Sequence, residues 1–282
     1  MNRVEPFSIP EWKALHREAS LVSQILGSGA TALGRASYGS GFGEYYTAFF
    51  GLTIGIERLA KLILVADFAI DNGGTLPGQA VVRRYGHRLK DLIGKADQIA
   101  TKRDISVPYL LPTDPICSAV IDCLDEFSDA SKGRYANFEA IGNPNFNAAD
   151  EPVNKWWTEV VEPILDKHYR GRRTESRVKQ RAAIMNALVG DSVFIHHTNE
   201  TGAVISNLTT ASERTGQTKW AQKYGRFYTL SVVRWLSHIF DEMTHTAGYQ
   251  PGLESLFGHY EFFQTYTVDD YFLLTRKVWP LT

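Results

Sequence analysis

Basic side chains and one imidazole cluster in a short stretch of the chain, and their types suit phosphate chemistry. Arg83, Arg84, His87 and Arg88 fall within six positions. A guanidinium group binds and neutralises a phosphate, and an imidazole transfers protons near neutral pH. On a helix, Asp91 would lie one turn after His87 and could orient its ring. The alternative is a structural histidine that packs against a neighbouring helix.

The most strongly charged segment is KHYRGRRTESRVKQR, residues 167–181. Seven Lys and Arg residues against a single Glu give it a local charge of +6, whereas the whole chain has a net charge of −1. Such clustering can neutralise RNA phosphates, and Tyr169 adds a ring for base stacking. Arg170, Arg172 and Arg173 are therefore candidate RNA ligands. A solvated connector whose charges offset acidic neighbours is the alternative.

Other familiar site patterns are missing from the sequence. The segment HIFDEMTH, residues 238–245, places two histidines and two carboxylates on one helix, but the HExxH order of zinc enzymes is absent. The glycine-rich stretches lack the lysine of a phosphate-binding loop. Cys117 and Cys123 have no further Cys or His partners at zinc spacing. We therefore expect neither a metal nor a cofactor.

Composition bounds the class of protein. The 282 residues are 44% hydrophobic and 22% charged, which is enough apolar surface for a substantial core. A net charge of −1 gives no global field that would attract nucleic acid or an anionic membrane. The long apolar run from Tyr46 to Ile70 carries Glu57, Arg58 and Lys61 at its centre, which favours a buried helix over a membrane span. The N-terminus lacks a signal peptide pattern, so we expect a cytoplasmic protein.

Periodicity and breaking residues predict a mainly α-helical chain. A long central helix from Glu44 to Asp71 should contain a Glu57–Lys61 pair and end at Asn72-Gly73-Gly74. The Gly/Ser-rich stretch before it should be a loop, and residues 192–211 should be irregular or a short hairpin. Short helices should follow in the aromatic tail. The other predicted helices begin at Pro10, Pro77, Asp114-Pro115 (ending near Gly142), Asp150, Thr174 (to Leu188) and Thr218 (to Ala247).

Three of these segments together resemble a known family. They are FFGLTIGIERLAKLILV, YGHRLKDLI and DCLDEFSDASKGRYANFE, in that order. The combination resembles the signature of HEPN domains, small α-helical bundles, often dimeric, that occur in prokaryotic toxin–antitoxin and phage-defence systems. The resemblance covers roughly residues 40–170. It implies a HEPN-like up-and-down bundle (41–170) and leaves the last hundred or so residues unexplained. From the residue patterns we expect an N-terminal helix and Gly/Ser-rich loop (1–40) before the bundle and an additional helical C-terminal half packed on it (171–282).

The resemblance also bears on activity. Many HEPN proteins are metal-independent RNases with an Arg and a His separated by four to six residues, but the corresponding positions after Arg134 hold Glu139, Ala140 and Ile141. A second branch lacks that pair and carries Arg-Tyr, as Arg134-Tyr135 does here, and is associated with binding of nucleotides or nucleic acid. Asn137 would share a helix face with Arg134. Alternatively, Arg134 only pairs with an acidic neighbour.

These observations lead to one preferred hypothesis and two alternatives. We expect a HEPN-like protein of a defence or toxin–antitoxin system, a homodimer that binds RNA or a nucleotide through its basic helices. One alternative is a metal-independent endoribonuclease whose site combines residues from different helices or subunits: Arg83, Arg84, His87 and Arg134. The other is a scaffold that binds a protein partner through its aromatic C-terminal half. All require the Glu57, His87 and Arg134 helices to lie side by side.

Overall fold

The computed structural model describes residues 5–129, 135, 138, 141–143 and 147–279, and these are mainly α-helical as predicted. A π-helical turn (Trp157–Val161) joins the helices Pro152–Trp156 and Glu162–His168. Two short strands, β1 (His197–Thr198) and β2 (Val204–Ile205), pair in an antiparallel hairpin. The α-helices are α1 (Pro10–Leu33), α2 (Gly43–Asp71), α3 (Gln79–Arg84), α4 (Leu89–Lys102), α5 (Pro115–Ser128), α6 (Pro152–Trp156), α7 (Glu162–His168), α8 (Arg173–Val189), α9 (Leu208–Gly248) and α10 (Asp270–Thr275).

Glycines set the distance between α1 and α2, the most closely packed pair of helices. A Cβ on Gly29 would lie 2.8 Å from the backbone nitrogen of Leu52, and one on Gly51 would lie 2.9 Å from the Cα of Gly29. The prediction of a loop after Ile25 was wrong, because α1 continues to Leu33 through this glycine-rich stretch. The lack of side chains lets two backbones meet, and that contact offsets the poor helix propensity of glycine.

Helix α2 lies at the centre of the fold, and α1, α4, α5 and α9 pack around it. The predicted Glu57–Lys61 ion pair is confirmed at 2.7 Å. The helix ends where predicted, because Gly73 and Gly74 take left-handed backbone angles (φ +59° and +86°). Within the described part of the chain, no helix has the length and apolar character needed to span a membrane.

The helix predicted from Pro77 is divided in two. Gly86 has φ +85°, a conformation that breaks the helix between α3 and α4. Arg88 is extended and precedes α4, whose first backbone N–H, that of Leu89, donates to the Asp125 carboxylate of α5. The prediction of one continuous helix was wrong, because this cap from α5 is a tertiary contact. The break places His87 in the loop between two helices.

The third predicted helix begins where expected, since the Asp114 side chain accepts from the backbone N–H of Ile116 at the start of α5. Helix α5 ends at Ser128, well before Gly142. The apolar periodicity of this segment predicts that Tyr135 and Phe138 lie on the buried face of the same helix. They are 55% and 76% exposed, so that prediction was wrong.

The C-terminal half is joined to the N-terminal helices through a buried carboxylate. Glu200, in the turn of the predicted short hairpin, accepts from Arg214 of α9 (2.7 Å from Nη2) and from the Tyr45 hydroxyl of α2 (3.2 Å). The Arg214 guanidinium lies 3.4 Å from the centre of the Trp157 ring. The long helix expected from Thr218 is α9, which starts ten residues earlier. Glu151, rather than the predicted Asp150, caps α6 through its carboxylate.

Candidate functional site

His87 forms a three-residue polar cluster with two residues of α2. Its Nδ1 lies 2.9 Å from Glu57 Oε1, and that oxygen also accepts from Lys61 Nζ at 2.7 Å. Lys61 Nζ lies 3.4 Å from Nδ1. Because Nδ1 donates to the carboxylate when it carries the proton, Nε2 is left with a lone pair. The His87 side chain is 78% exposed, so an external ligand can reach it.

The loop that carries His87 is held at both ends. On one side, Lys95 Nζ donates to the carbonyl oxygen of Tyr85 at 2.8 Å. On the other, Asp125 accepts from the Leu89 N–H and lies 3.6 Å from the Arg88 guanidinium. The imidazole is therefore positioned by α2, α4 and α5 together. The sequence prediction that Asp91 orients this ring was wrong, because Glu57 does so.

A pocket of about 380 Å³ opens beside this cluster. Its walls combine aromatic and aliphatic side chains with the polar groups of Glu57 and His87. Phe50 is 40% exposed and packs edge-to-face on Phe127, with ring centres 4.9 Å apart. Apolar walls with a few polar groups at one edge are typical of sites for small planar ligands. The pocket is lined by Phe50, Thr53, Ile54, Glu57, His87, Phe127, Ser128 and Asp129.

Two further arginines of the candidate set lie close to His87 in the chain. Arg83 and Arg84 occupy the last turn of α3 and are exposed. Neither forms an ion pair with any described residue, whereas Arg88 is near the Asp125 carboxylate. The segment 83–88 thus carries two exposed guanidinium groups without an ion pair to a described residue and, three residues after Arg84 in the chain, an imidazole oriented by a carboxylate.

The second predicted basic group, Arg170, Arg172 and Arg173, differs in its surroundings. Arg170 pairs with Glu162 and Asp166 of α7. Arg172 donates to the backbone oxygen of Lys167 at 2.7 Å. Arg173 is exposed and forms no ion pair with the described residues. Acidic neighbours therefore offset the charge of Arg170, whereas Arg172 and Arg173 have no carboxylate partner among the described residues.

The predicted Arg134 and Asn137 lie outside the described residues. Tyr135 is described and exposes just over half of its surface. Ser128 and Asp129, the last described residues before this segment, line the pocket beside His87.

The 238–245 segment does not assemble a metal site. The described residues include no group of three or more His, Cys, Asp and Glu side chains that could hold a metal ion. His238 Nε2 and Asp241 Oδ1 are buried without hydrogen-bond partners among those residues. Burial lowers the pKa of His238 and raises that of Asp241 to about 6. These groups affect the pH dependence of stability.

Comparison with protein-family models, with curated proteins and with solved structures finds no match to this chain. Interpretation of the site therefore depends on its own geometry. That geometry provides an oriented imidazole beside an apolar-walled pocket, and the same chain segment carries two exposed guanidinium groups. The feature that sequence reasoning missed is the Glu57–His87 contact. Glu57 and His87 are 30 positions apart, so only the packing of α2 against the α3–α4 loop reveals it.

Proposed function

We propose that the protein is a HEPN-like RNA-binding protein of a defence or toxin–antitoxin system, and that it binds single-stranded RNA at the His87 pocket. The observation that carries the proposal is the pocket itself, in which apolar and aromatic walls adjoin Glu57 and His87. Arg83 and Arg84 lie three to four residues before His87 and are available to phosphates. Single strands are bound by such combinations of stacking surfaces and cationic groups.

The packing of the motif-bearing helices supports the family part of the proposal. Helices α2, α4 and α5 pack against one another, and they carry the ERLAK, RLKDL and CLDEF strings. A single nucleotide would use the same chemistry, with its base against Phe50 and Ile54 and its phosphate towards the arginines. A homodimer is a further part of the proposal, and light scattering coupled to gel filtration measures it.

Fluorescence anisotropy with a labelled, unstructured 12-nucleotide RNA tests the binding site. We expect affinity to fall as salt rises, because each neutralised phosphate releases counterions. Arg83→Gln/Arg84→Gln should weaken binding and reduce the salt slope by about 1 for each phosphate that the variant no longer neutralises. Arg17→Gln is the matched control, since Arg17 is an exposed arginine of α1 whose one hydrogen bond to a described residue is to the Lys13 carbonyl.

Competition with mononucleotides separates the two possible ligands. If RNA is the ligand, a nucleoside monophosphate displaces it only at far higher concentration than an unlabelled RNA does. If a single nucleotide is the ligand, the nucleoside monophosphate and the unlabelled RNA displace the labelled RNA at similar concentrations, counted per nucleotide. No binding at low salt, or equal effects of the double variant and Arg17→Gln, would refute binding at this site.

The Glu57–His87 hydrogen bond favours a second candidate, a metal-independent endoribonuclease. With Nδ1 donating to Glu57, Nε2 could accept the proton of an RNA 2′-hydroxyl as its oxygen attacks the adjacent phosphorus. The bond from phosphorus to the 5′-oxygen would then break, and that oxygen would take up a proton from water to leave as a 5′-hydroxyl. The product would carry a 2′,3′-cyclic phosphate.

Cleavage of a labelled RNA in EDTA tests this candidate. A 2′,3′-cyclic phosphate product, abolished in His87→Ala and reduced in Glu57→Gln, would support it. RNA binding without any product after long incubation would exclude the nuclease and leave the binding proposal intact.

A further inference from the structure

One face of α8 is exposed along its whole length, apart from the His87 pocket and independent of it. Ala182 is the single buried residue among those of α8. The helix packs on α9, where Gly216 permits a close approach, because a Cβ there would lie 2.5 Å from Val178 Cγ1. Val178 and Ala182, one turn apart, therefore mark the inner face of α8.

Five residues of α8 share an exposed face, since they follow one another at steps of three or four. We call them the α8 stripe. It spans about 22 Å at 1.5 Å per residue. Ile184 and Leu188 in its second half are 52% and 73% exposed, and Phe194, soon after the helix, is 92% exposed. The stripe consists of Arg173, Arg177, Arg181, Ile184 and Leu188.

The three arginines of the stripe have no ion-pair partner among the described residues. By contrast, Lys179 on another face of α8 pairs with Glu175 at 2.8 Å. Like charges one helical turn apart destabilise an isolated helix. The three arginines are therefore unfavourable for the helix alone and could bind an external anionic surface. Ile184 and Leu188, which follow them on the same face, could pack against an apolar surface.

We infer that the α8 stripe docks an acidic amphipathic helix of a partner protein. Carboxylates one turn apart on that helix would meet the three arginines, and its apolar side chains would cover Ile184 and Leu188. RNA fits only the first half of the stripe, because Ile184 and Leu188 offer neither a charge for a phosphate nor an aromatic ring on which a base could stack. A second copy packed antiparallel on α8 fits poorly, because it would bring the two Arg181 residues together near the twofold axis.

A synthetic peptide probes this chemistry with the full chain. The labelled helical peptide carries three Glu residues one turn apart, followed by two Leu residues on the same face. A second peptide has Lys in place of Glu. Anisotropy is measured for the wild type, for Arg173→Gln/Arg177→Gln/Arg181→Gln and for Ile184→Ser/Leu188→Ser. Lys179→Gln is the matched control on another face of α8.

The inference predicts binding of the Glu peptide and at least tenfold weaker binding of the Lys peptide. Each stripe variant should bind the Glu peptide about tenfold more weakly, equivalent to about 1.4 kcal/mol, while Lys179→Gln stays close to wild type. Unchanged circular dichroism shows that the variants fold. The inference is overturned if the Glu peptide does not bind, or if neither stripe variant weakens it. A third result would also overturn it. In that case the arginine variant binds RNA more weakly than the wild type, but both stripe variants bind the Glu peptide as tightly as the wild type does.

Discussion

Glu200→Gln tests how the hairpin and α9 are held on the N-terminal helices. The Glu200 side chain is fully buried, and it accepts from Arg214, from the Tyr38 backbone N–H and from the Tyr45 hydroxyl. Glutamine keeps the shape but removes the charge, which leaves the Arg214 guanidinium, 11% exposed, without its counterion. Removing one partner of a buried pair costs about 3–5 kcal/mol. We expect about 3 kcal/mol, near the lower limit, because the stacking of Arg214 on Trp157 persists.

Urea denaturation at pH 7 measures this cost, and a double-mutant cycle with Arg214→Met isolates the pair. The double variant should be more stable than the sum of the single effects predicts, by about 2 kcal/mol. Glu18→Gln is the control, because its pair with Arg58 is about 40% exposed on both sides and should contribute less than about 1 kcal/mol. A Glu200→Gln cost as small as that of Glu18→Gln, or strict additivity in the cycle, would refute the reasoning.

Urea denaturation also tests four further substitutions. Two glycine substitutions should change stability in opposite directions, and the other two should change its pH dependence. Gly51→Ala should destabilise the protein by about 1–2 kcal/mol, because its Cβ would meet α1. Gly94→Ala has open space around the new Cβ and should stabilise the protein by about 0.5–1 kcal/mol. Stability changes of the same sign in the two variants would contradict the packing argument. Burial raises the pKa of Asp241 to about 6, so the free energy of unfolding should fall as pH rises from about 4 to 7. Asp241→Asn should remove this fall. It should add about 1 kcal/mol of stability at pH 7, after allowance for solvent screening. Burial lowers the pKa of His259 to about 4, so the free energy of unfolding should decrease as pH falls from about 6.5 towards 4. The decrease should reach up to about 3 kcal/mol. His259→Asn should make it smaller. Variants whose pH profiles parallel the wild type would contradict these two assignments.

Local signals predicted the elements whose boundaries are set within the chain. The end of α2 at Asn72-Gly73-Gly74 and the Asp114 cap of α5 depend on residues next to the boundary, and both are confirmed. The pairing of Glu57 with Lys61 is also local, one helical turn apart. Such features follow from backbone preference and nearby side chains alone.

Features decided by tertiary contact escaped the sequence. The glycine-rich part of α1 resembles a loop until Gly29 meets Gly51 across the helix interface. The apolar pattern after Pro77 continues through Tyr85 and Leu89 and predicts one helix. The Asp125 carboxylate of α5 instead caps α4 at Leu89, so a new helix begins there. For the candidate site, the sequence singled out the basic residues near His87, but it predicted Asp91 instead of Glu57 as the carboxylate that orients the His87 ring. Distant positions such as 57 and 87 become neighbours only through packing.

RNA in the pocket beside His87 can be located directly. Ultraviolet cross-linking of RNA that contains 4-thiouridine, followed by mass spectrometric mapping of the linked peptides, shows where the bound strand lies. We expect cross-links in the segments around Phe50 and His87, and we expect fewer of them in Arg83→Gln/Arg84→Gln. Cross-links confined to α8, or to surfaces remote from α2 and the α3–α4 loop, would contradict binding in the pocket.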